Sequence, residues 1–261
     1  MKSFFLIYNY LLYKLKAINE HGVHSPFVFD LLRNVIYNKT DYYAYRNIEQ
    51  IRKRLLSSKK KIECIDLGAG SLNNNGIIKS IKEIAAHSAK SAKYAQLLFR
   101  LTNHFQFSDI LELGTSLGIS TAYMASANSK TNITTIEGCS EIASAARQNF
   151  EHLQLKNIEQ VIGNFDTVLP EVLAKKTKLD LVFFDGNHRK QPTLDYFNQC
   201  LQKAHEGSMF IFDDIYWSDE MKQAWEEIKK NDRVTVSIDL FFMGIIFFRK
   251  EQTKEHFIIS Y

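Results

Sequence analysis

From residue 109 onward, short apolar runs alternate with longer stretches in which apolar residues recur every three or four positions. The apolar runs are 110–113, 132–137, 158–163, 179–185 and 208–213. Their near-continuous hydrophobicity predicts strands covered on both faces, as in a parallel sheet flanked by helices. The intervening stretches predict helices at 119–127, 141–154, 167–175, 192–205 and 219–230. The last opens on Ser218 as N-cap, with Asp219 and Glu220 in its first turn. Two final apolar runs, 234–240 and 244–248, have no helix between them and predict an antiparallel pair. The expected fold is α/β: a Rossmann-like sheet of seven strands, with helices on both faces and an antiparallel strand at its end.

The first 60 residues read mostly helical. Ser25-Pro26 is a helix start, with serine at the cap and proline at the first helical position, leading into 27–36. Residues 4–13 are apolar and aromatic apart from Asn9. Ten residues are too few to span a bilayer, so this segment is expected to be an amphipathic helix docked on its own domain or on a dimer mate. Attachment to a membrane surface is the minority reading. A longer helix is expected at 87–105, where Tyr94, Leu97, Leu98, Leu101 and Phe105 share a face. The expected division is a helical extension, a candidate lid, over 1–86 and a ligand-binding domain over 87–261.

Composition narrows the function classes. A chain of 261 residues with 45% hydrophobic content can bury a large core. The net charge of +4 is spread over mixed signs, and no basic stripe interleaved with aromatics points to nucleic acid. Cys64, Cys139 and Cys200 are widely separated and form no C-x-x-C pair. Neither a zinc site nor a disulfide framework is suggested, and a cytoplasmic setting is expected. His21 and His24 have no third metal-type residue nearby in sequence and read as loop residues.

The stretch with the most chemistry is Ile110-Leu-Glu-Leu-Gly-Thr-Ser-Leu-Gly-Ile-Ser120. A strand carrying an acid runs into a glycine turn and then a helix start, which presents backbone N–H groups to a ligand. The dinucleotide fingerprint G-x-G-x-x-G is absent, which argues against NAD. The stretch resembles the nucleotide-binding loop of class I S-adenosylmethionine-dependent methyltransferases, and the catechol O-methyltransferase-like branch in particular. The resemblance covers roughly 87–250. A second strand–acid–glycine pattern, at 62–71, is followed by Leu-Asn-Asn-Asn-Gly rather than a helix start, and is read as part of the extension.

The resemblance implies S-adenosylmethionine as cofactor and places it at the carboxyl ends of the strands. Glu112, Gly114, Ser116, Gly118 and Ser120 would hold its amino-acid end, with residues 87–93 closing over its methionine end. Glu137, at the end of the second strand, would accept from both ribose hydroxyls, with Gly138 beside it. Asn164 and Phe165, in a Gly-x-x-x-x-x-x-Pro segment from Gly163 to Pro170, would border the adenine; Asp166 is the alternative adenine partner or a helix cap. Asp185, Asp213 and Asp214 stand at the positions of metal ligands in metal-dependent catechol-type enzymes, with aspartate for asparagine at 214. Three carboxylates suit a hard cation such as Mg²⁺. Asp185 also counts among the cofactor and catalytic residues.

His188 stands where that branch carries a catalytic lysine. It fits a general base, and equally a helix-entry residue bonded to backbone. The implied activity is methyl transfer to a small-molecule acceptor, most simply at oxygen, assisted by His188 or a divalent metal. Aminopropyl transfer, a macromolecular or lipid-like acceptor, and non-catalytic binding on the same fold are the alternatives. A homodimer through the N-terminal helix is compatible with the pattern.

Overall fold

The computed structural model describes residues 2–64, 77–87 and 90–261. These form two compact units: one from residues 1–38 and 173–261, the other from the intervening 39–172. The chain opens with α1 (Lys2–Lys16) and α2 (Pro26–Leu31), both in the first unit. Ser25 caps α2 by accepting from the Val28 N–H at 3.5 Å, and Pro26 sits at the first helical position. The helix then passes into a wider turn of π type over Leu32–Ile36.

The second unit begins with α3 (Tyr43–Ser57), followed by a hairpin of β1 (Lys61–Cys64) and β2 (Ile77–Ser80). The second glycine turn falls in residues 65–76, outside the described residues, but its leading strand belongs to this hairpin. Next come α4 (Ile81–His87), which the sequence reading did not mark, and α5 (Ala92–Phe105), which falls within the helix expected at 87–105; residues 88 and 89 lie outside the described set. The regular alternation follows: β3 (Asp109–Leu113), α6 (Ile119–Ala127), β4 (Asn132–Glu137), α7 (Ser140–His152), β5 (Ile158–Ile162) and α8 (Phe165–Ala174). β3 pairs with β4, and β4 with β5, all parallel. Ile48 and Ile51 of α3 share one buried cluster with Phe99, Leu117, Ile119 and Tyr123, so α3 packs against the segment that carries the glycine turn. The Tyr123 hydroxyl donates to Glu49 at 2.8 Å.

The first unit resumes with β6 (Leu179–Phe184), α9 (Lys190–Leu201), β7 (Ala204–Asp213), α10 (Asp219–Lys230), β8 (Val236–Asp239), β9 (Met243–Phe247) and β10 (Glu255–Ile258). The strand order in this unit is β10-β8-β9-β7-β6. β9 runs antiparallel to both β7 and β8, as the helix-free pair of runs predicted, while β6–β7 and β10–β8 are parallel. β10 is an addition to the seven expected strands; its four residues have too short a pattern to be read alone. All residues of β6, β8 and β9 are buried, which matches their continuous apolar character. At Gly244 a Cβ would lie 2.7 Å from the Trp225 ring, so glycine is what lets α10 close on β9.

α1 is tied down along one face. The Tyr13 hydroxyl donates to the Ile259 carbonyl at 2.5 Å and accepts from the Tyr261 N–H at 3.0 Å. Lys222 donates to Asn9 at 2.8 Å. Tyr10 and Tyr13 both pack on Phe241. The amphipathic helix expected from the sequence therefore docks on its own chain.

Candidate active site

In the second unit, β3 leads into a turn that bends back through three left-handed residues, Gly114, Ser116 and Gly118, with φ of 109°, 46° and 79°. Glycine at 118 is required twice over. Its φ disfavours any side chain, and a Cβ would sit 2.4 Å from the Phe150 ring. The end of β4 holds this turn. The Gly114 and Thr115 N–H groups donate to the Ile136 carbonyl at 3.0 and 3.1 Å, and the Ser116 N–H donates to Glu137 Oε2 at 2.8 Å. The other oxygen of Glu137 accepts from the Cys139 N–H at 3.0 Å. The Glu137 carboxylate thus fixes the turn and the start of α7, and stays partly exposed with Gly138. The Ser116 hydroxyl is buried and has no hydrogen-bond partner among the described residues.

Glu112 points the other way. Fully buried, it accepts from Ser120 at 2.6 Å, from Thr135 at 2.7 Å and from Thr121, while Thr115 and Thr135 share a 2.6 Å hydroxyl contact. Burial raises the Glu112 carboxyl to about 7, and the three hydroxyls oppose that rise without cancelling it. The acid and Ser120, read as ligand-facing in the sequence, are joined to each other beneath the turn. Gly163 opens the loop after β5, where Asn164 accepts from the Asp166 N–H at 2.9 Å and so caps α8; Phe165 is half-buried beside it and Asp166 is exposed.

In the first unit the ends of β6 and β7 bring together Asp185, His188 and Asp213. One ligand-type atom from each lies within 4.8 Å of the others, and Asp213 is buried. Among the described residues this is the one such group of three or more. His188 Nε2 is 3.9 Å from Asp185 Oδ1. Asp214 is outside the group. Its backbone is left-handed at φ 52°, its N–H donates to the Phe242 carbonyl at 2.7 Å, and its carbonyl accepts from the Trp217 N–H at 2.8 Å. Asp214 therefore pins two exposed aromatics, Trp217 and Phe242, next to the cluster.

Beneath these loops lies a network that sequence reading missed. Asp239, fully buried, accepts from the Tyr216 hydroxyl at 2.7 Å and from the Phe241 N–H at 2.8 Å. Desolvation raises the carboxyl of Asp239, and burial with the neighbouring carboxylate raises the phenol of Tyr216. Phe241 is left-handed at φ 70° and stacks on Tyr216, with ring centroids 5.0 Å apart. Phe241 is buried and Tyr216 half-buried, whereas Trp217 and Phe242 are exposed. In the second unit Tyr42 and Tyr45 pack with Phe99, while Tyr43 is exposed. A lone Asp at the end of β8 gave no signal, because its hydroxyl partner Tyr216 comes from another loop.

With this geometry in hand, comparison with known proteins is informative. Residues 111–215 match the family model described as a methyltransferase domain. Curated relatives include the catechol O-methyltransferases of Niastella koreensis (30% identical over 131 residues) and Mycobacterium tuberculosis (28% over 129 residues). Each match covers 49% of this chain and 57% of the relative, so the chain spans little more than half the length of the curated proteins it matches. Among solved structures, the O-methyltransferase of Bacillus cereus in complex with SAH superposes with a TM-score of 0.57 at 19% identity, covering 81% of this chain and 93% of that one. Residues 111–215 are thus similar to a methyltransferase domain, and about half of the chain is similar to the catechol O-methyltransferases, which supports a class I S-adenosylmethionine-dependent O-methyltransferase.

Proposed function

We propose that the protein transfers a methyl group from S-adenosylmethionine to an oxygen of a small-molecule acceptor, with 87–261 as the transferase domain and 1–86 as its extension. The observation that carries the reading is the turn after β3: a buried Ser116 hydroxyl with no partner among the described residues, held beside the Glu137 carboxylate. A carboxylate is acceptor-only, which suits the two ribose hydroxyls. The Ser116 hydroxyl, with Gly114, Gly118 and Gly138, lines the same turn. Asn164 and Phe165 would border the adenine, and Ser120 and Glu112 support the turn from below.

For a cation, Asp185, Asp213 and His188 are a convergent ligand set. Two carboxylates suit Mg²⁺, and the imidazole makes the set better matched to Mn²⁺. When bound, S-adenosylmethionine supplies an electrophilic methyl group, and a divalent cation lowers the proton affinity of an acceptor hydroxyl. His188 is also placed to take the acceptor proton itself, since Asp185 would stabilise the imidazolium that forms. Trp217 and Phe242 offer flat apolar surface to an acceptor. Titration calorimetry with S-adenosylmethionine and S-adenosylhomocysteine tests the reading. Micromolar binding is expected, weakened at least tenfold in Ser116→Ala; wild type that binds neither compound overturns it. Asp213→Asn should leave cofactor binding intact while abolishing any Mn²⁺ or Mg²⁺ dependence of methyl transfer to hydroxylated aromatics.

A further inference from the structure

α1 buries Asn9 and Tyr13 against its own chain, yet its outward face is apolar. Phe4, Ile7, Tyr8, Leu11 and Leu15 recur at three- and four-residue spacing and are 76, 58, 53, 58 and 82% exposed. A surface helix ordinarily turns such a stripe inward and shows polar residues to water. The only charges in α1 are lysines: Lys2 at its start and Lys14 and Lys16 in its last turn, with no acidic residue anywhere in it. Lys14 and Lys16 are exposed, and the Lys14 ammonium lies 5.6 Å from the Tyr10 ring centroid, beside the apolar stripe.

We infer that this face of α1 docks the protein on an anionic phospholipid surface. Fifteen residues at 1.5 Å each give about 22 Å, short of the ~30 Å hydrocarbon core, so the helix would lie along the interface. No helix among the described residues is long and apolar enough to cross a membrane. Aromatic and aliphatic side chains enter the headgroup boundary, tyrosine hydroxyls stay at its wet edge, and lysines reach the lipid phosphates. Charge favours this occupant over a second copy of the chain. Pairing two α1 helices in antiparallel fashion sets their lysine-bearing ends against each other with no acid in the helix to offset them, whereas an anionic bilayer neutralises them.

The test is co-sedimentation of the full chain with vesicles of phosphatidylcholine alone or mixed with one-third phosphatidylglycerol, at low and high salt. Binding to the anionic vesicles is expected, weakened by salt. Leu11→Asp with Leu15→Asp should weaken it at least about tenfold, and Lys14→Gln with Lys16→Gln roughly thirtyfold, at about fivefold per lysine. These side chains are exposed, and an unchanged thermal midpoint verifies that the variants fold. Equal, salt-independent binding to both vesicle types overturns the proposal. So does absence of vesicle binding, whether the chain sediments alone as a monomer or as a dimer that Leu11→Asp with Leu15→Asp dissociates.

Discussion

Replacing Glu112 by glutamine isolates the buried acid under the glycine turn. The side chain keeps its shape, and the hydroxyls of Ser120, Thr121 and Thr135 can rotate to receive or donate. The wild-type carboxyl titrates at about 7 in the folded protein against an ordinary 4.5, because burial disfavours the charged form. Between those values the folded state holds a proton that the unfolded state has released, so stability falls as pH rises through the window. At about 1.36 kcal/mol per pH unit the loss accumulates to about 3 kcal/mol and levels off above pH 7. Urea unfolding of wild type and Glu112→Gln, measured from below pH 4.5 to above pH 7, reads this directly, since other titrating groups cancel in the difference. Relative to wild type, Glu112→Gln should gain about 3 kcal/mol across the window. A pH-independent difference, or one in which wild type gains with rising pH, would refute the placement of this carboxyl in a desolvated hydroxyl cage.

Further expectations follow from single contacts. Gly118→Ala combines a left-handed backbone, costing about 1–2 kcal/mol, with a Cβ 2.4 Å from Phe150; its urea midpoint should fall by more than that of Gly207→Ala, whose backbone φ is not in the left-handed region. Tyr216→Phe leaves buried Asp239 without its hydroxyl partner and should cost about 1–3 kcal/mol in the same assay. Ser116→Ala removes a hydroxyl that bonds nothing among the described residues, so its thermal midpoint should match wild type while calorimetry detects the loss of cofactor affinity. Asp214→Asn retains the backbone bonds to Phe242 and Trp217 and should preserve metal dependence, in contrast to Asp213→Asn.

Hydrophobic periodicity alone marked the elements from β3 to β9 and their order, because most of these strands are buried on two faces and most of the helices on one, and both conditions print themselves on local sequence. It also marked the turn after β3, since glycines at 114 and 118 answer to backbone angles and to a close approach by Phe150. β10 escaped notice because four residues carry too little pattern, and seven-residue α4 for the same reason. Which side chains share a site was another matter. Glu112 and Glu137 look alike in sequence, each near a strand end. Only the packing of β3 against β4 turns Glu112 into a cage of three hydroxyls and leaves Glu137 holding the turn. His188 for lysine was legible as a substitution. That it converges with Asp185 and Asp213 while adjacent Asp214 does not is decided by the loops after β6 and β7, with a left-handed backbone at 214. The pairing of Asp239 with Tyr216 was invisible for the same reason: side-chain burial and pairing are set by contacts between segments distant in the chain, which local composition does not encode.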